Sequence, residues 1–148
     1  MRVEQRITVN APVEKVFGYL ADLSRHHEWA LHGLEVSQTS EGPVVVGTTF
    51  QSRGRMWGLD IRNENVVTEF VPNHRIVFES VSPGGRFCNA FTIEEHGATT
   101  LLVKQVEVVQ PSMLLWPLVR FGFPLVAGRR LDQDLQRIKA KLEDEAVP

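Results

Sequence analysis

Between residues 34 and 110 the chain is a run of strand-like segments separated by short turns, and this run restricts the possible folds more than any other feature. The segments cover residues 34–39, 47–57, 59–71, 75–81, 86–94 and 99–109. Turns such as 72–73 and 82–85 are too short for a crossover helix, so successive strands must lie antiparallel. Polar and apolar residues also alternate over 3–9, which adds a strand. The pattern predicts seven antiparallel strands.

The segment after the first strand has helical spacing. Pro12 suits the first turn of a helix, and the apolar positions that follow it are Val13, Val16, Phe17 and Leu20. Asp22 can cap a second short helix that runs to about residue 31. The chain is therefore predicted to open with a strand and two short helices.

The C-terminal segment is predicted to be one long helix, from about residue 112 to 145. Its buried stripe consists of Leu131, Leu135, Ile138 and Leu142. Pro117 and Pro124 lie in the first part of this segment. A proline inside a helix removes a backbone hydrogen bond and clashes with the preceding turn. We therefore expect a kink or a break there.

Composition excludes several classes of protein. The chain has 148 residues, which suits one domain. Its net charge is -2, with no long basic run, so nucleic acid is not an expected partner. Cys88 is the single cysteine, which excludes an internal disulfide and a cysteine-based zinc site. No signal-peptide pattern is visible and the apolar run 113–128 is shorter than the ~20 residues of a membrane span, so we expect a cytoplasmic protein.

Three motifs carry a resemblance that covers nearly the whole chain. They are ITVNAPVEKVF at 7–17, followed by Leu20, Asp22 and Trp29; VTEFVP at 67–72; and LDQDLQRIK at 131–139. In this order the motifs resemble the START-like (SRPBCC) superfamily, in its polyketide cyclase/dehydrase and lipid-transport branch. The resemblance implies an α+β helix-grip fold in one domain, 1–148, with a curved seven-stranded antiparallel sheet around a long C-terminal helix. The implied order is β-α-α-β-β-β-β-β-β-α.

A sheet that bends around one helix leaves a gap between them, and such gaps are favoured places for apolar ligands. We therefore predict an internal cavity for a small hydrophobic molecule, without a cofactor. Any one of the candidate lining residues can instead be ordinary core. The candidates are Phe17, Trp29, Phe50, Trp57, Ile61, Asn63, Val67, Phe78, Phe87, Asn89, Phe91, Trp116 and Phe121.

Asn89 is the strongest candidate for a polar ligand contact. It alternates with Phe87 and Phe91 along one strand, which places its amide among apolar groups. A buried amide without a partner is costly. The partner is therefore a ligand, an internal water or a group on a neighbouring strand.

The candidates for acid–base chemistry are Glu69, His27 and Arg53. In an unbroken strand Glu69 shares a face with Val67, and a carboxylate in an apolar pocket has a raised pKa suited to proton transfer. A structural role for Glu69 and a solvated position for His27 are the simpler interpretations. The three form no recognisable catalytic constellation, and no HExxH or similar motif predicts a metal site.

Three functions remain open at this point. Binding or transport of a lipid, polyketide or isoprenoid is favoured, and we do not expect an enzyme. The alternatives are a cofactor-independent cyclase or aromatase, which the resemblance implies, and a protein-interaction module. The segment 113–130 either covers the cavity or contacts a partner or, transiently, a membrane surface. Its arginines, which suit anionic lipids or are simply solvated, are Arg120, Arg129 and Arg130.

Overall fold

The computed structural model describes residues 1–30, 35–56, 58–114 and 116–145. The strands are β1 Arg2–Val9, β2 Glu35–Gln38, β3 Thr49–Met56, β4 Leu59–Val71, β5 Arg75–Ser82, β6 Gly85–His96 and β7 Thr99–Pro111. The helices are α1 Val13–Ala21, α2 His26–Trp29 and α3 Trp116–Glu145, with a 3-10 turn at Leu23–Arg25 between the first two. The predicted order of strands and helices is confirmed.

All seven strands form one antiparallel sheet in the order β1-β7-β6-β5-β4-β3-β2. Strands β2 to β7 are a meander, because each pairs with the next along the chain. Strand β1 pairs with β7 at the far edge. The curved sheet and the long terminal helix confirm the predicted helix-grip fold. We call the side of the sheet that faces α3 the inner face.

Helix α3 runs without a break from residue 116 to 145, so of the two outcomes expected at its prolines, a kink or a break, the break does not occur. Pro117 lies in the first turn, where no backbone N–H needs a partner. Pro124 lies inside the helix and removes only one bond of the ladder. The backbone of α3 packs mainly on β1, β7 and α2. Among the described helices, none is long and apolar enough to cross a membrane.

One half of the inner face is a solid core. Phe91, Ile93 and Leu102 from the sheet are each exposed by 2% or less. They meet α1 and the apolar stripe of α3, which is buried as predicted. Complete burial of Phe91, Ile93 and Leu102 leaves no room for a guest molecule between these three side chains.

A bulge in β4 corrects the predicted orientation of Glu69. The pairing of β4 with β5 shifts its register between Val67 and Glu69. An extra residue in one strand reverses which side chains face inward after it. Val67 is buried, whereas Glu69 points outward and Phe70 packs against the core in its place. Glu69 therefore does not share the inner face with Val67.

Candidate ligand-binding groove

The other half of the inner face is only partly covered. Phe78 on β5 and Phe87 and Asn89 on β6 point toward α3 but remain half-buried, as do Ile61 and Asn63 on β4. Inner-face side chains lose all contact with solvent where the space above them is filled, as the core half shows. We call the unfilled space between these five residues and the first half of α3 the groove.

Hydrogen-bonded polar side chains cross four adjacent strands on the inner face. Asn65 Nδ2 donates to Ser52 Oγ at 3.2 Å, and Ser80 Oγ donates to Asn65 Oδ1 at 2.5 Å. Asn89 Nδ2 donates to Ser80 Oγ at 3.1 Å. Ser52, Asn65 and Ser80 are buried. This set of four, which we call the polar ladder, gives an otherwise apolar wall a line of fixed dipoles.

Two amide oxygens beside the groove lack hydrogen-bond partners among the described residues. Asn89 engages its Nδ2 with Ser80 on the neighbouring strand, one of the partners considered for it, while its Oδ1 accepts from no described residue. Asn63 Oδ1 is fully buried and accepts no hydrogen bond from that same part of the chain. Buried acceptors are normally paired. Both oxygens are therefore suited to accept a hydrogen bond from a ligand or a water.

Helix α2 places Trp29 against the inner face, beside Phe91. Its ring meets Phe91 edge to face, with centroids 5.6 Å apart. His26 lies 4.9 Å from Trp29 and 6.2 Å from Phe50 between ring centroids. Trp29 Nε1 is fully buried and has no acceptor among the described residues. The indole N–H is thus a buried donor that the described residues leave without a partner.

His26, rather than its neighbour His27, is the buried histidine of this region. His26 Nε2 lies 2.9 Å from the backbone oxygen of Leu20, so it acts as the donor. Burial lowers the pKa of His26 to about 4, and the ring is neutral near pH 7. Sequence reasoning missed this residue because His26 and His27 are adjacent in a helix of only four residues. So short a helix does not show from the sequence which of the two side chains faces inward. The hydrogen bond ties α2 to the end of α1.

A buried ion pair links the sheet to α3 beside Trp29. Lys104 Nζ on β7 lies 2.8 Å from Asp134 Oδ2 on α3, and both residues are buried. The ammonium also lies 4.7 Å from the ring centroid of Trp29 and 5.2 Å from that of Phe91. Asp134 Oδ1 is buried without a partner in the described part of the chain. A charged pair in this position is costly unless it is fully hydrogen-bonded.

Sequence reasoning did not single out this pair, although a signal was present. Lys104 has the same strand parity as Leu102, and Asp134 precedes Leu135 and follows Leu131 by three positions on the helix. Both charged residues therefore fall on apolar faces of their elements. The alternation of side chains along the strand, together with the helical spacing of the apolar stripe, could have identified Lys104 and Asp134 as inward-facing charges.

The residues of the chain match a family model almost from end to end. The family is described as polyketide cyclase / dehydrase and lipid transport, and the match covers residues 1–143. The chain belongs to this family. No curated protein matches the sequence closely enough to count as a relative.

Several solved structures have the same fold. The protein TTHA0849 from Thermus thermophilus has a TM-score of 0.78 at 16% identity, with 99% of each chain covered. A START superfamily protein from Mycobacterium smegmatis has 0.76 at 16% identity, covering 98% of this chain and 99% of that one. The Zhui aromatase/cyclase from Streptomyces sp. R1128 has 0.74 at 18% identity, covering 97% and 93%. At these identities the likeness shows the fold alone.

Within this family fold, several predicted lining residues are packed in the core and not in the groove. Those buried are Phe17, Phe50, Val67 and Phe91, while Trp29 is buried beside Phe91 with its indole N–H unpaired among the described residues. Phe121 is 81% exposed, on the side of α3 away from the sheet. Trp116 is also exposed, and Trp57 lies outside the described residues. Phe123, which faces the sheet instead, stacks on Phe87 with ring centroids 6.1 Å apart.

The three candidates for acid–base chemistry lie outside the groove. Glu69 forms an ion pair with Arg75 at 3.1 Å, and Arg53 forms one with Asp60 at 3.1 Å. His27 is exposed. Within the described ranges, no cluster of three or more potential metal ligands occurs.

A separate surface pocket lies beside the 3-10 turn. Its volume is about 220 Å³, and it contains none of the predicted lining residues. The residues around it are Ala21, Asp22, Leu23, Ser24, Val36, Gln38 and Val44. It provides a distinct alternative location against which binding to the groove can be tested.

Proposed function

We propose that the protein binds a small, mostly apolar molecule in the groove and acts as its carrier or sensor. The observation that carries the proposal is the contrast between the two halves of the inner face, one solid and one half-covered. The family description, which includes lipid transport, supports this class of ligand. Lipids, polyketides and isoprenoids all fit it.

The groove offers both affinity and orientation to such a ligand. Phe78, Phe87 and Phe123 present aromatic surface, and burial of apolar area is favourable by roughly 25 cal/mol per Å² before the entropic cost of binding. Asn63 and Asn89 present free amide oxygens at fixed positions. A ligand with an apolar body and few polar groups matches this wall.

Native mass spectrometry of the purified protein, followed by organic extraction, tests the proposal. The wild-type protein is expected to retain a small organic adduct. Asn89→Trp fills the groove from the inner face and is expected to abolish the adduct. Arg86→Trp introduces the same side chain on the same strand but on the exposed face, so its adduct should persist. An adduct that is absent from the wild type, or equally abundant in both variants, contradicts the proposal.

The alternative, a cofactor-independent cyclase, has support from the family description but less from the site. The groups considered for proton transfer, Glu69, His27 and Arg53, all lie outside the groove. We expect turnover of a model polyketone, if measurable, to be unchanged in Glu69→Gln, His27→Gln and Arg53→Gln. Loss of turnover in any of the three would favour the cyclase and contradict their assignment as exterior residues.

We also propose that the first part of α3 contacts an anionic membrane surface transiently. Exposed apolar side chains occur here and just before the helix: Met113, Leu114, Trp116, Phe121, Leu125 and Val126. Residues 113–130 contain Arg120, Arg129 and Arg130 but no acidic residue, in a chain whose net charge is -2. This local positive charge complements anionic lipid headgroups, and exposed apolar side chains suit the interface.

Vesicle cosedimentation separates membrane contact from contact with a protein. Binding to vesicles that contain phosphatidylglycerol is expected at low salt and should weaken at high salt, with little binding to pure phosphatidylcholine. Phe121→Ser with Leu125→Ser should abolish it. Val45→Ser with Val46→Ser, which changes two exposed valines elsewhere, should not. Salt-independent binding to neutral vesicles, or self-association in place of vesicle binding, would contradict the proposal.

A further inference from the structure

We propose that Lys104, Asp134 and Trp29 form a second polar site, which binds a neutral hydroxyl group of the ligand. This inference rests on the proposed function, because it names the class of molecule that the groove accepts. The ligand would be an apolar alcohol or phenol, as opposed to a hydrocarbon, a carboxylic acid or an amine.

The free hydrogen-bonding atoms of the three residues carry the inference. The ion pair uses Asp134 Oδ2 and one hydrogen of the Lys104 ammonium. Asp134 Oδ1 and Trp29 Nε1 are both buried without partners among the residues that the structure describes. Asp134 and Trp29 are only 8% and 4% exposed. Buried polar atoms are normally paired, so an acceptor and a donor left open on two residues that both contact the Lys104 ammonium need a ligand group or a water as partner.

The position of Lys104 in the sheet places this cluster next to the groove. Lys104 pairs with Phe91 of the solid core, and Val106, two residues along β7, pairs with Asn89 of the groove. Two residues of a strand span about 7 Å. A molecule of two fused rings bound over Asn89 can therefore reach the cluster with a substituent.

The charges of the cluster select the ligand group. A ligand carboxylate would face the unpaired oxygen of Asp134, and an ammonium would face Lys104. A hydroxyl avoids both repulsions. It donates its hydrogen to Asp134 Oδ1 and accepts from Trp29 Nε1 or from a remaining hydrogen of Lys104. Hydrogen bonds with charged partners are the stronger kind, so the hydroxyl should contribute measurably to affinity.

Calorimetric titration with 2-naphthol, naphthalene and 2-naphthoic acid tests the inference. The wild-type protein should bind 2-naphthol roughly tenfold more tightly than naphthalene, the change expected for one hydrogen bond to a charged group. It should bind 2-naphthoic acid more weakly than 2-naphthol. Trp29→Phe keeps an aromatic ring against Phe91 but removes the indole N–H. This variant should lower the affinity for 2-naphthol several-fold and leave that for naphthalene unchanged.

A double substitution tests the ion pair itself. Lys104→Met with Asp134→Leu replaces both charges by apolar groups, which proteins tolerate better than loss of one partner. The preference for 2-naphthol over naphthalene should disappear in this variant. Lys139→Met removes a half-buried lysine that pairs with Glu143 and should retain the preference.

The outcomes distinguish this inference from the function on which it rests. Equal affinity for 2-naphthol and naphthalene in the wild type overturns the hydroxyl site but leaves the apolar groove standing. Tightest binding of 2-naphthoic acid also overturns it, since the site would then be one for anions. Binding of none of the three probes counts against both proposals. If the double variant does not fold, the Trp29→Phe comparison still decides.

Discussion

Ser80 on β5 donates its hydroxyl hydrogen to the amide oxygen of Asn65 on β4, and both side chains are buried on the inner face of the sheet. Polar groups in such a position are stable only when they are paired. The contact is the centre of the polar ladder and fixes the wall of the groove.

Asn65 and Asn63 should respond oppositely to substitution by leucine. Asn65→Leu leaves the Ser80 hydroxyl without its acceptor and the Ser52 hydroxyl without its donor, and should lower the free energy of unfolding by about 2–3 kcal/mol. Asn63 has an unpaired oxygen, so Asn63→Leu should change stability by less than about 1 kcal/mol. Urea unfolding measures both. Similar losses for the two variants would mean that Asn63 is paired as well as Asn65.

Gly85 should tolerate alanine far less well than Gly97. Gly85 has a φ of +126°, and a Cβ there would lie 2.2 Å from the backbone oxygen of Gln110. Gly97 also has a positive φ, of +66°, but a Cβ there would meet nothing within 4 Å. We expect Gly85→Ala to cost about 3 kcal/mol or more and Gly97→Ala about 1 kcal/mol. Thermal unfolding of the two variants checks the difference, and equal costs would contradict the close approach of β6 to β7.

His26 should make the protein less stable in acid. The pKa of His26 falls to about 4 through burial, from an ordinary 6.5. Below pH 6.5 the unfolded chain takes up a proton that the folded chain does not, so stability falls as the pH falls toward 4. Between pH 7.5 and pH 5 the loss should be about 2 kcal/mol.

Two glutamine variants isolate this effect in urea unfolding at the two pH values. His26→Gln keeps an N–H donor but cannot titrate, so its loss between pH 7.5 and pH 5 should be smaller. His27→Gln changes an exposed histidine and should behave like the wild type. An unchanged loss in His26→Gln would show that the acid sensitivity comes from other groups.

Loss of one partner of the ion pair between Lys104 and Asp134 should destabilise the protein more than loss of both partners. Lys104→Met alone leaves a buried carboxylate and should lower the free energy of unfolding by about 3–5 kcal/mol. Adding Asp134→Leu should recover most of this loss, because no uncompensated charge then remains. Chemical denaturation of the single and double variants measures the recovery. A double variant as unstable as the single one would contradict the buried position of the pair.

The order of strands and helices was predictable because periodicity and turn residues are local signals. Strand β4 begins and ends at the predicted residues, Leu59 and Val71. The bulge beside Glu69 was not predictable in the same way, since it depends on how β4 pairs with β5. The sequence shows that polar and apolar residues alternate along β4. It does not show the register shift that reverses which of them face inward.

The groove was predictable in outline but not in its residues. Asn89 was expected on the inner face with an open choice of partner, and the structure shows Ser80 as that partner. On α3 the aromatic residues are too dense for helical phase to be evident. For this reason Phe121 was predicted to line the cavity, whereas in the structure it faces solvent and Phe123 stacks on Phe87.

The most direct test of the account is an NMR titration of the wild-type protein with 2-naphthol, following the side-chain NH₂ signals of asparagine. We predict saturable shifts of the Asn63, Asn65 and Asn89 signals, and little change for the exposed Asn10. No shifts at all, or shifts confined to backbone signals around the separate pocket at Leu23 and Val36, would show that the half-covered inner face holds no ligand.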